Sequence, residues 1–322
     1  AKKGTHCKQH SRINKKFPQK TMIVSLVVHL SFIFVCSALA QYPTPGSMPK
    51  RRILVTGANS GIGLALTKQL VADYGCHVYL GSRNAERGLQ AVEEVKAAAG
   101  DSVELLNIDV GNESSVAAAA AELSQRLRNE KLYAIVNNAG TGVSHGTSPV
   151  EILDTNTRGP RRVVDHFLPL LNKSEGRIVN VGSGGGPGHV SRIHSDDVNW
   201  KRFCFPMSQE AIEREIKLIE AQNDRSIAYR GSKALLACYT MALAKEHPNL
   251  MISIITPGWI KTKMTVGTGA NKEPHEGTVS LRKCLFEDLP SSGYFWGSDG
   301  KRSPLHFMRN LGDPEYDGVL PS

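Results

Sequence analysis

The sequence has 322 residues, of which 40% are hydrophobic and 21% are charged, the proportions of an ordinary globular protein. Its formal net charge of +9 arises mostly from residues 1–47, which hold seven basic and no acidic residues, and the rest carries 32 basic and 30 acidic ones. A nearly neutral main domain argues against a nucleic-acid enzyme. The six cysteines are scattered and form neither a zinc motif nor a disulfide framework, so no metal is expected.

The first pattern along the chain is the apolar run from Met22 to Ala40, which follows basic residues and ends in small residues. By itself it is typical of a secretory signal or a single membrane anchor. The alternative is that residues 1–47 are upstream or removed sequence, because Met48 starts where a domain of this kind would begin. The protein is cytoplasmic if it starts at Met48, and otherwise secretory or anchored through residues 22–40.

From residue 52 onward, short β-branched runs alternate with longer amphipathic stretches. Strands are predicted at Arg52–Thr56, His77–Leu80, Val103–Ile108, Tyr133–Asn137, Arg177–Val181 and Met251–Ile255. Helices are predicted at about 61–74, 85–98, 113–128, 150–172 and 227–247. This alternation predicts an α/β fold, a Rossmann-type doubly wound parallel sheet with helices on both faces. Ligands of such sheets bind at the carboxyl ends of the strands.

A glycine-rich turn, Gly57 to Gly63, connects the first predicted strand to the first helix. Its glycines permit a tight turn and a close approach of the backbone to a pyrophosphate, while the helix N-terminus offers N–H groups and a partial positive charge. The position between a strand and a helix predicts a dinucleotide-binding turn, with the spacing TGxxxGxG.

With this spacing, the sequence resembles the classical short-chain dehydrogenase/reductase family, and four more motifs follow in the family's order. They are Asp109-Val110, where the family contacts adenine, Asn137–Gly140, the YxxxK motif Tyr229–Lys233, and Pro257-Gly258. The resemblance covers about residues 50–300 and is closest to monomeric carbonyl-reductase-like members. It implies a cofactor site made of Gly57, Asn59, Gly61, Ile62, Gly63, Arg83, Arg87, Asp109, Val110, Asn138, Ala139, Gly140, Tyr229, Lys233, Pro257, Gly258, Ile260 and Thr262.

The end of the second strand indicates the cofactor. An NAD site usually has an acidic residue here for the ribose 2′-hydroxyl, whereas this chain has Gly81-Ser82-Arg83. Arg83 and Arg87 are spaced to hold a 2′-phosphate between two guanidinium groups, which predicts NADP(H). The alternative is two solvated arginines on a surface helix. The resemblance implies that Asn59 also approaches the phosphate.

Tyr229 and Lys233 are four residues apart in a helical stretch, so their side chains share one helix face. Reducing a carbonyl requires a proton for the new alkoxide. A phenol is a poor acid or base near neutral pH unless a cation such as Lys233 stabilises its phenolate. The resemblance makes Tyr229 the proton donor and gives Lys233 a second role, holding the nicotinamide ribose.

Two further residues complete an expected catalytic tetrad of Asn156, Ser183, Tyr229 and Lys233. Ser183 follows the fifth strand, where the family usually has two serines and this chain has Gly182 in place of the first. The resemblance implies that Ser183 polarises the substrate carbonyl and that Asn156 positions a proton-relay water.

An insertion at about 190–226 separates Ser183 from Tyr229, which are 46 positions apart. It contains His194, Trp200, Phe203, Phe205, Met207 and a helical stretch. Monomeric carbonyl reductases carry a similar insertion where relatives pair their helices, so a monomer is expected. The insertion either roofs part of the substrate site or packs its aromatics on the surface. The domain should span 48–305, and the Gly, Asp and Pro residues of 306–322 predict a loosely ordered tail.

The predicted function is NADPH-dependent reduction of an aldehyde, ketone or quinone by hydride transfer. One alternative is an alcohol-oxidising dehydrogenase of the same fold. Another is a catalytically silent nucleotide-binding sensor or scaffold, although such a protein would have no need of the tetrad. The expected partner is a small-molecule carbonyl substrate and not a nucleic acid, and a membrane is expected only if residues 22–40 are retained.

Overall fold

The computed structural model describes residues 50–193 and 199–321, whose backbone forms a sheet of seven parallel strands in the order β3-β2-β1-β4-β5-β6-β7. The strands are β1 (Arg52–Val55), β2 (His77–Ser82), β3 (Val103–Asn107), β4 (Ala134–Asn137), β5 (Arg177–Val181), β6 (Met251–Ile255) and β7 (Phe295–Trp296). The α-helices of these ranges are α1 (Gly61–Ala72), α2 (Ala85–Ala99), α3 (Glu113–Leu127), α4 (Pro149–Leu153), α5 (Gly159–Phe167), α6 (Gly185–Ile193), α7 (Gln209–Glu220), α8 (Arg225–Glu246) and α9 (Val279–Phe286). The predicted doubly wound α/β fold is confirmed.

Helices cover both faces of the sheet because successive strand side chains point to opposite faces. In β1, Ile53 and Val55 pack into the core beneath α1, α2 and α9, whereas Leu54 packs on the other side with α3, α5 and α8. All three side chains are fully buried. The strand order reverses between β1 and β4, so their carboxyl ends border the crevice in which such sheets bind ligands.

The single helix predicted at 150–172 is wrong, because a π-helical turn at Asp154–Arg158 separates α4 from α5. The N–H of Gly159 donates to the carbonyl of Asp154, five residues earlier. Pro160 has no N–H to donate to the carbonyl of Asn156, which removes the α-helical bond at this point. The proline therefore explains why the helix widens at a candidate catalytic residue.

Helix α6 was not predicted, because its sequence GGPGHVSRI has the composition of a loop. Tertiary packing explains the helix. A Cβ added at Gly186 would lie 3.1 Å from both the carbonyl carbon and the carbonyl oxygen of Lys233, so a larger residue would crowd this approach to α8. Strand β7 and helix α9 were also missed; both are short.

The insertion packs against the main core. Trp200 and Phe203 are buried in the core cluster on the α8 side of the sheet, whereas Phe205 is largely exposed. The buried face of α7 packs on α8, where Ile219 lies against the Cα of Gly231. The alternative that the insertion packs its aromatic side chains on the surface is therefore wrong for Trp200 and Phe203. His194 lies outside the described residues.

The tail is irregular in conformation, but several contacts hold it in place, contrary to the predicted loose order. The guanidinium of Arg309 is almost fully buried in an ion pair with Asp299. Its Nη1 also donates to the carbonyl of Asp313 at 2.9 Å. Further along, the N–H of Tyr316 donates to the carbonyl of Arg302 at 3.1 Å. These bonds anchor residues 309–316 on the domain.

The apolar run at residues 22–40 lies outside the described residues. Within residues 50–193 and 199–321, every helix is too short or too polar to cross a bilayer.

Candidate active site

The glycine-rich turn has the backbone conformation that the sequence predicted. Gly57 and Gly61 have φ values of +63° and +57°, in the left-handed region that favours glycine. A Cβ added at Gly63 would lie 2.7 Å from the carbonyl oxygen of Gly57 and even closer to the side-chain amide of Asn138. Ser60, at the N-cap of α1, leaves the N–H groups of the first turn without a side-chain cap. The turn therefore offers bare backbone donors to an anion, which fits a dinucleotide pyrophosphate.

The Asn137–Gly140 motif stabilises this turn through hydrogen bonds. The hydroxyl of Thr56 accepts hydrogen bonds from the N–H groups of Asn138 and Ala139, both at 3.1 Å. The Asn138 side chain donates to the carbonyls of Thr56 at 2.9 Å and of Gly57 at 3.0 Å. Asn138 thus holds the shape of the turn. Thr56 was missed by the sequence reading, although it is the threonine of the TGxxxGxG spacing.

Arg83 and Arg87 are both exposed at the carboxyl end of β2. Between them, the Asn84 side chain caps α2 by accepting the N–H of Arg87 at 2.8 Å. This cap holds the two arginines at the start of α2. They therefore lie at the end of the sheet where α1 also begins. Asn59, in the glycine turn, is partly exposed near the start of α1.

The Asp109-Val110 pair follows β3 on the same side of the sheet. The Asp109 carboxylate accepts the N–H of Gly111 at 3.0 Å, and the Val110 side chain is buried in the core. Both side chains therefore stabilise the loop that follows β3. The predicted adenine contact stays a prediction.

Tyr229 and Lys233 lie on α8, on the face that meets the carboxyl end of β5. Lys233 is buried, and its Nζ donates to the carbonyl of Val181 at 2.9 Å. Burial lowers the pKa of Lys233 to about 8, because desolvation disfavours the ammonium. Burial raises the pKa of Tyr229, and a hydrogen bond with the Ser183 side chain opposes that rise in part.

Ser183 lies beside the tyrosine ring. A Cβ added at Gly185 would be 3.4 Å from both the Ser183 Oγ and the Tyr229 Cε1. The N–H of Gly185 donates to the Ser183 Oγ at 3.0 Å and fixes that oxygen. Gly182 stands where the family usually has a serine, and the glycine has a steric reason. A Cβ at this position would lie 2.8 Å from the carbonyl oxygen of Ile255. The structure thus places the two expected hydroxyl groups together.

Asn156 lies in the π-helical turn with its side chain buried. Its Oδ1 accepts the N–H of Thr141, and its Nδ2 donates to the Thr141 carbonyl, both at 2.9 Å. The Nδ2 also donates to the Ser232 Oγ at 3.1 Å, which joins the turn to α8. A Cβ added at Gly140 would lie 3.1 Å from the Asn156 Oδ1 and 3.7 Å from the Lys233 Nζ. The four candidate catalytic residues therefore lie near the carboxyl ends of β4 and β5, with Asn156 beside Lys233 and Ser183 beside Tyr229.

The segment that follows β6 reaches the glycine turn. Gly258 has a φ of +90°, which lets the chain turn after Pro257. Ile260 is buried beside Ile62 and Gly277, and the Thr262 methyl would lie 3.2 Å from a Cβ at Gly61. The predicted contact residues of this segment thus meet the glycine turn.

Three other site residues were missed by the sequence reading. Thr141 and Ser232 hold Asn156, and Met264 lies on Gly142 while its carbonyl accepts the Ser144 hydroxyl at 2.7 Å. Ser232 lies inside the YxxxK motif and could have been noticed there. No motif in the sequence around Met264 indicates that it contacts Gly142. In the described ranges, no three His, Cys, Asp or Glu side chains come together as a metal site.

Comparison with known proteins agrees with this geometry. A family model described as short chain dehydrogenase matches residues 51–194. The chain is 30% identical to (+)-neomenthol dehydrogenase of Arabidopsis thaliana over 290 residues, covering 76% of this chain and 95% of that protein. It is 30% identical to carbonyl reductase [NADPH] 3 of Rattus norvegicus over 243 residues, covering 68% and 85%. The solved structure of salutaridine reductase from Papaver somniferum superimposes with a TM-score of 0.65 at 27% identity, covering 76% of this chain and 99% of that one.

Proposed function

Because this chain belongs to the short-chain dehydrogenase/reductase family, we propose that it reduces a carbonyl compound to an alcohol with NADPH. The observation that carries the proposal is the convergence of Tyr229, Ser183, Lys233 and Asn156 beside a glycine turn that leaves its backbone donors bare. The names of relatives that are about 30% identical, a carbonyl reductase using NADPH and a neomenthol dehydrogenase, support the reaction class.

The residues at the nucleotide site fit NADP(H). Backbone N–H groups at the start of α1 would bind the pyrophosphate, and Arg83 and Arg87 would bind a ribose 2′-phosphate. When bound, the cofactor supplies a hydride to the carbonyl carbon. No carboxylate comes directly after β2 to bind a free 2′-hydroxyl, since the strand ends at Ser82 and Arg83 is the next residue.

Proton delivery is assigned to Tyr229. Burial raises the pKa of its phenol, so the hydroxyl carries its proton at neutral pH and can donate it to the new alkoxide. Ser183, hydrogen-bonded to this phenol, would donate to the carbonyl oxygen and stabilise the charge that develops there.

Lys233 and Asn156 would support that step. The pKa of Lys233, about 8, leaves most of its ammonium charged at neutral pH, where it stabilises the phenolate left after proton transfer. Asn156 would hold a relay water through its backbone carbonyl, because Pro160 cannot donate to that oxygen.

The direct test is NADPH consumption by the purified protein with a panel of aldehydes, ketones and quinones, followed by near-ultraviolet absorbance. We expect turnover with at least one class and much slower turnover with NADH. Tight NADPH binding without turnover on any carbonyl would instead favour the nucleotide-binding sensor.

Replacing Arg83 with aspartate should reverse the cofactor preference. Losing one charge-assisted bond to the 2′-phosphate, and adding a repulsive carboxylate, is expected to raise the KM for NADPH roughly tenfold to hundredfold. The KM for NADH should change less than about threefold. The matched control is Arg128→Asp, because Arg128 is exposed at the end of α3, at the opposite end of the sheet. An unchanged NADPH/NADH ratio in Arg83→Asp would refute the assignment.

We further propose that the protein is a monomer. Helix α7 buries Ile212, Ile216 and Ile219 and covers part of α8, the face on which relatives are expected to pair. Size-exclusion chromatography with light scattering is expected to give the mass of one chain. A concentration-independent dimer would contradict this proposal without affecting the catalytic one.

A further inference from the structure

Three glycines follow Ser183, and we call the backbone of Gly184–Gly186 the glycine strip. Ser183, Gly184 and Gly185 are each partly exposed. Arg230 covers Gly185 with its aliphatic stem, since its Cγ would lie 3.6 Å from a Cβ at that position. The Arg230 guanidinium turns away to the Ser226 hydroxyl. The strip therefore presents apolar atoms next to the reacting groups.

The C-terminal tail places one side chain on this strip. The Met308 Cε would lie 3.1 Å, and its Sδ 3.6 Å, from a Cβ added at Gly184. The same sulfur would lie 3.8 Å from a Cβ at Gly188, one turn along α6. Met308 nevertheless remains 59% exposed. One side of the methionine thus contacts the backbone that follows Ser183, and the other side is open.

The position of Met308 is fixed from both directions. On its C-terminal side, Arg309 is held by Asp299 and by the Ser303 hydroxyl, which accepts from its Nε at 3.1 Å. On its N-terminal side, the His306 ring lies 5.8 Å from the ring of Trp200, a buried residue of the insertion. The backbone is anchored while more than half of the side chain stays exposed, and an adaptable thioether is suited to contact with a ligand.

We propose that Met308 is a specificity-determining residue that forms one wall of the substrate site. Its thioether would contact an apolar group on the carbon skeleton beside the reacting carbonyl. The substrate class is therefore ketones or aldehydes that carry a bulky apolar group, such as a substituted ring. The proposal rests on the proposed carbonyl reduction and adds the shape and polarity of the substrate to it.

The affinity for a bulky substrate would come from the removal of apolar surface from water. An exposed methionine beside a catalytic serine is covered when a bulky ligand binds, and this burial favours the ligand in proportion to the contact area. A small carbonyl compound would reach Ser183 and Tyr229 without touching Met308. The effect of the side chain should therefore depend on substrate size.

The test compares two ketones that differ by one apolar group, tert-butylcyclohexanone and cyclohexanone. In Met308→Ala, the KM for the bulky ketone is expected to rise roughly fivefold to tenfold, with kcat changed less than about twofold. The KM for cyclohexanone should stay within about twofold of wild type, and Met308→Leu should restore most of the loss for the bulky ketone.

The matched control is Leu311→Ala, since Leu311 is on the same tail and is also 59% exposed, but it has no place on the glycine strip. This variant should leave both KM values unchanged. Equal effects of Met308→Ala on both ketones, or no effect on either, would overturn the proposal. So would a wild-type enzyme that reduces cyclohexanone but not its butyl derivative. A wild-type enzyme that reduces no carbonyl at all would instead contradict the proposed function.

Discussion

Replacing Tyr229 with phenylalanine is expected to lower kcat by about a hundredfold to ten-thousandfold, the usual contribution of a positioned general acid. The change removes only the hydroxyl, which is the group that the Ser183 hydrogen bond holds at the reacting point. The ring remains and keeps its packing, so the melting temperature should change by only a few degrees. Steady-state turnover of the best carbonyl substrate provides the measurement.

Tyr239 offers a matched control on the same helix. It is also buried, and its hydroxyl finds no hydrogen-bond partner in the part of the chain that the structure describes. Tyr239→Phe should therefore leave turnover intact and leave stability unchanged or slightly higher, because an unsatisfied buried hydroxyl is removed. Near-normal turnover of Tyr229→Phe would refute the proton-donor role. Loss of NADPH binding in that variant would mean that the phenol serves the cofactor instead.

Replacing Lys233 with methionine is expected to stabilise the cofactor-free protein at neutral pH while lowering kcat/KM by at least about a hundredfold. Burial lowers the pKa of Lys233 from 10.5 to about 8, so burying the ammonium destabilises the fold below pH 8. The lost hydrogen bond to the Val181 carbonyl offsets part of the gain. The net increase in the free energy of unfolding should be about 2 kcal/mol, measured by urea titration.

The pH dependence of the free energy of unfolding follows from the same lowered pKa of Lys233. Between pH 8 and 10.5 the unfolded chain holds the Lys233 proton and the folded chain has lost it, so wild-type stability gains from this lysine as the pH rises. Lys233→Met should lack that gain. Lys245→Met, at an exposed position of the same helix, should keep it and change stability by less than about 0.5 kcal/mol. A Lys233→Met variant less stable than wild type at neutral pH would show that the ammonium is well solvated or paired.

The parts of the fold that could be predicted depend on local patterns. Six of the strands were located from β-branched runs, because a strand buried on both faces needs such residues whatever surrounds it. The glycine turn was equally predictable, since Gly57 and Gly61 require positive φ and Gly63 has no room for a side chain. Tyr229 and Lys233 lie on one helix face because helix geometry alone sets their spacing.

Other elements depended on partners that are distant in sequence. Helix α6 forms from residues of low helix propensity because its glycines permit close packing on α8. The placement of the Asn156 side chain depends on the bonds that it makes with Thr141 and Ser232. Neither effect can be read from a propensity or a period within one segment.

The sequence by itself determined the local parts of the candidate site, because the glycine turn, the YxxxK pair and the arginines after β2 each lie within a single turn or helix start whose geometry is local. Only the tertiary structure decided which side chains from distant segments lie beside the candidate site. Met308 reaches Gly184 because Arg309 and His306 are held by residues from elsewhere in the chain. Met264 likewise reaches Gly142 from the segment after β6. Contacts between segments far apart in the chain leave no periodicity in the sequence, since they arise only when packing brings the segments together.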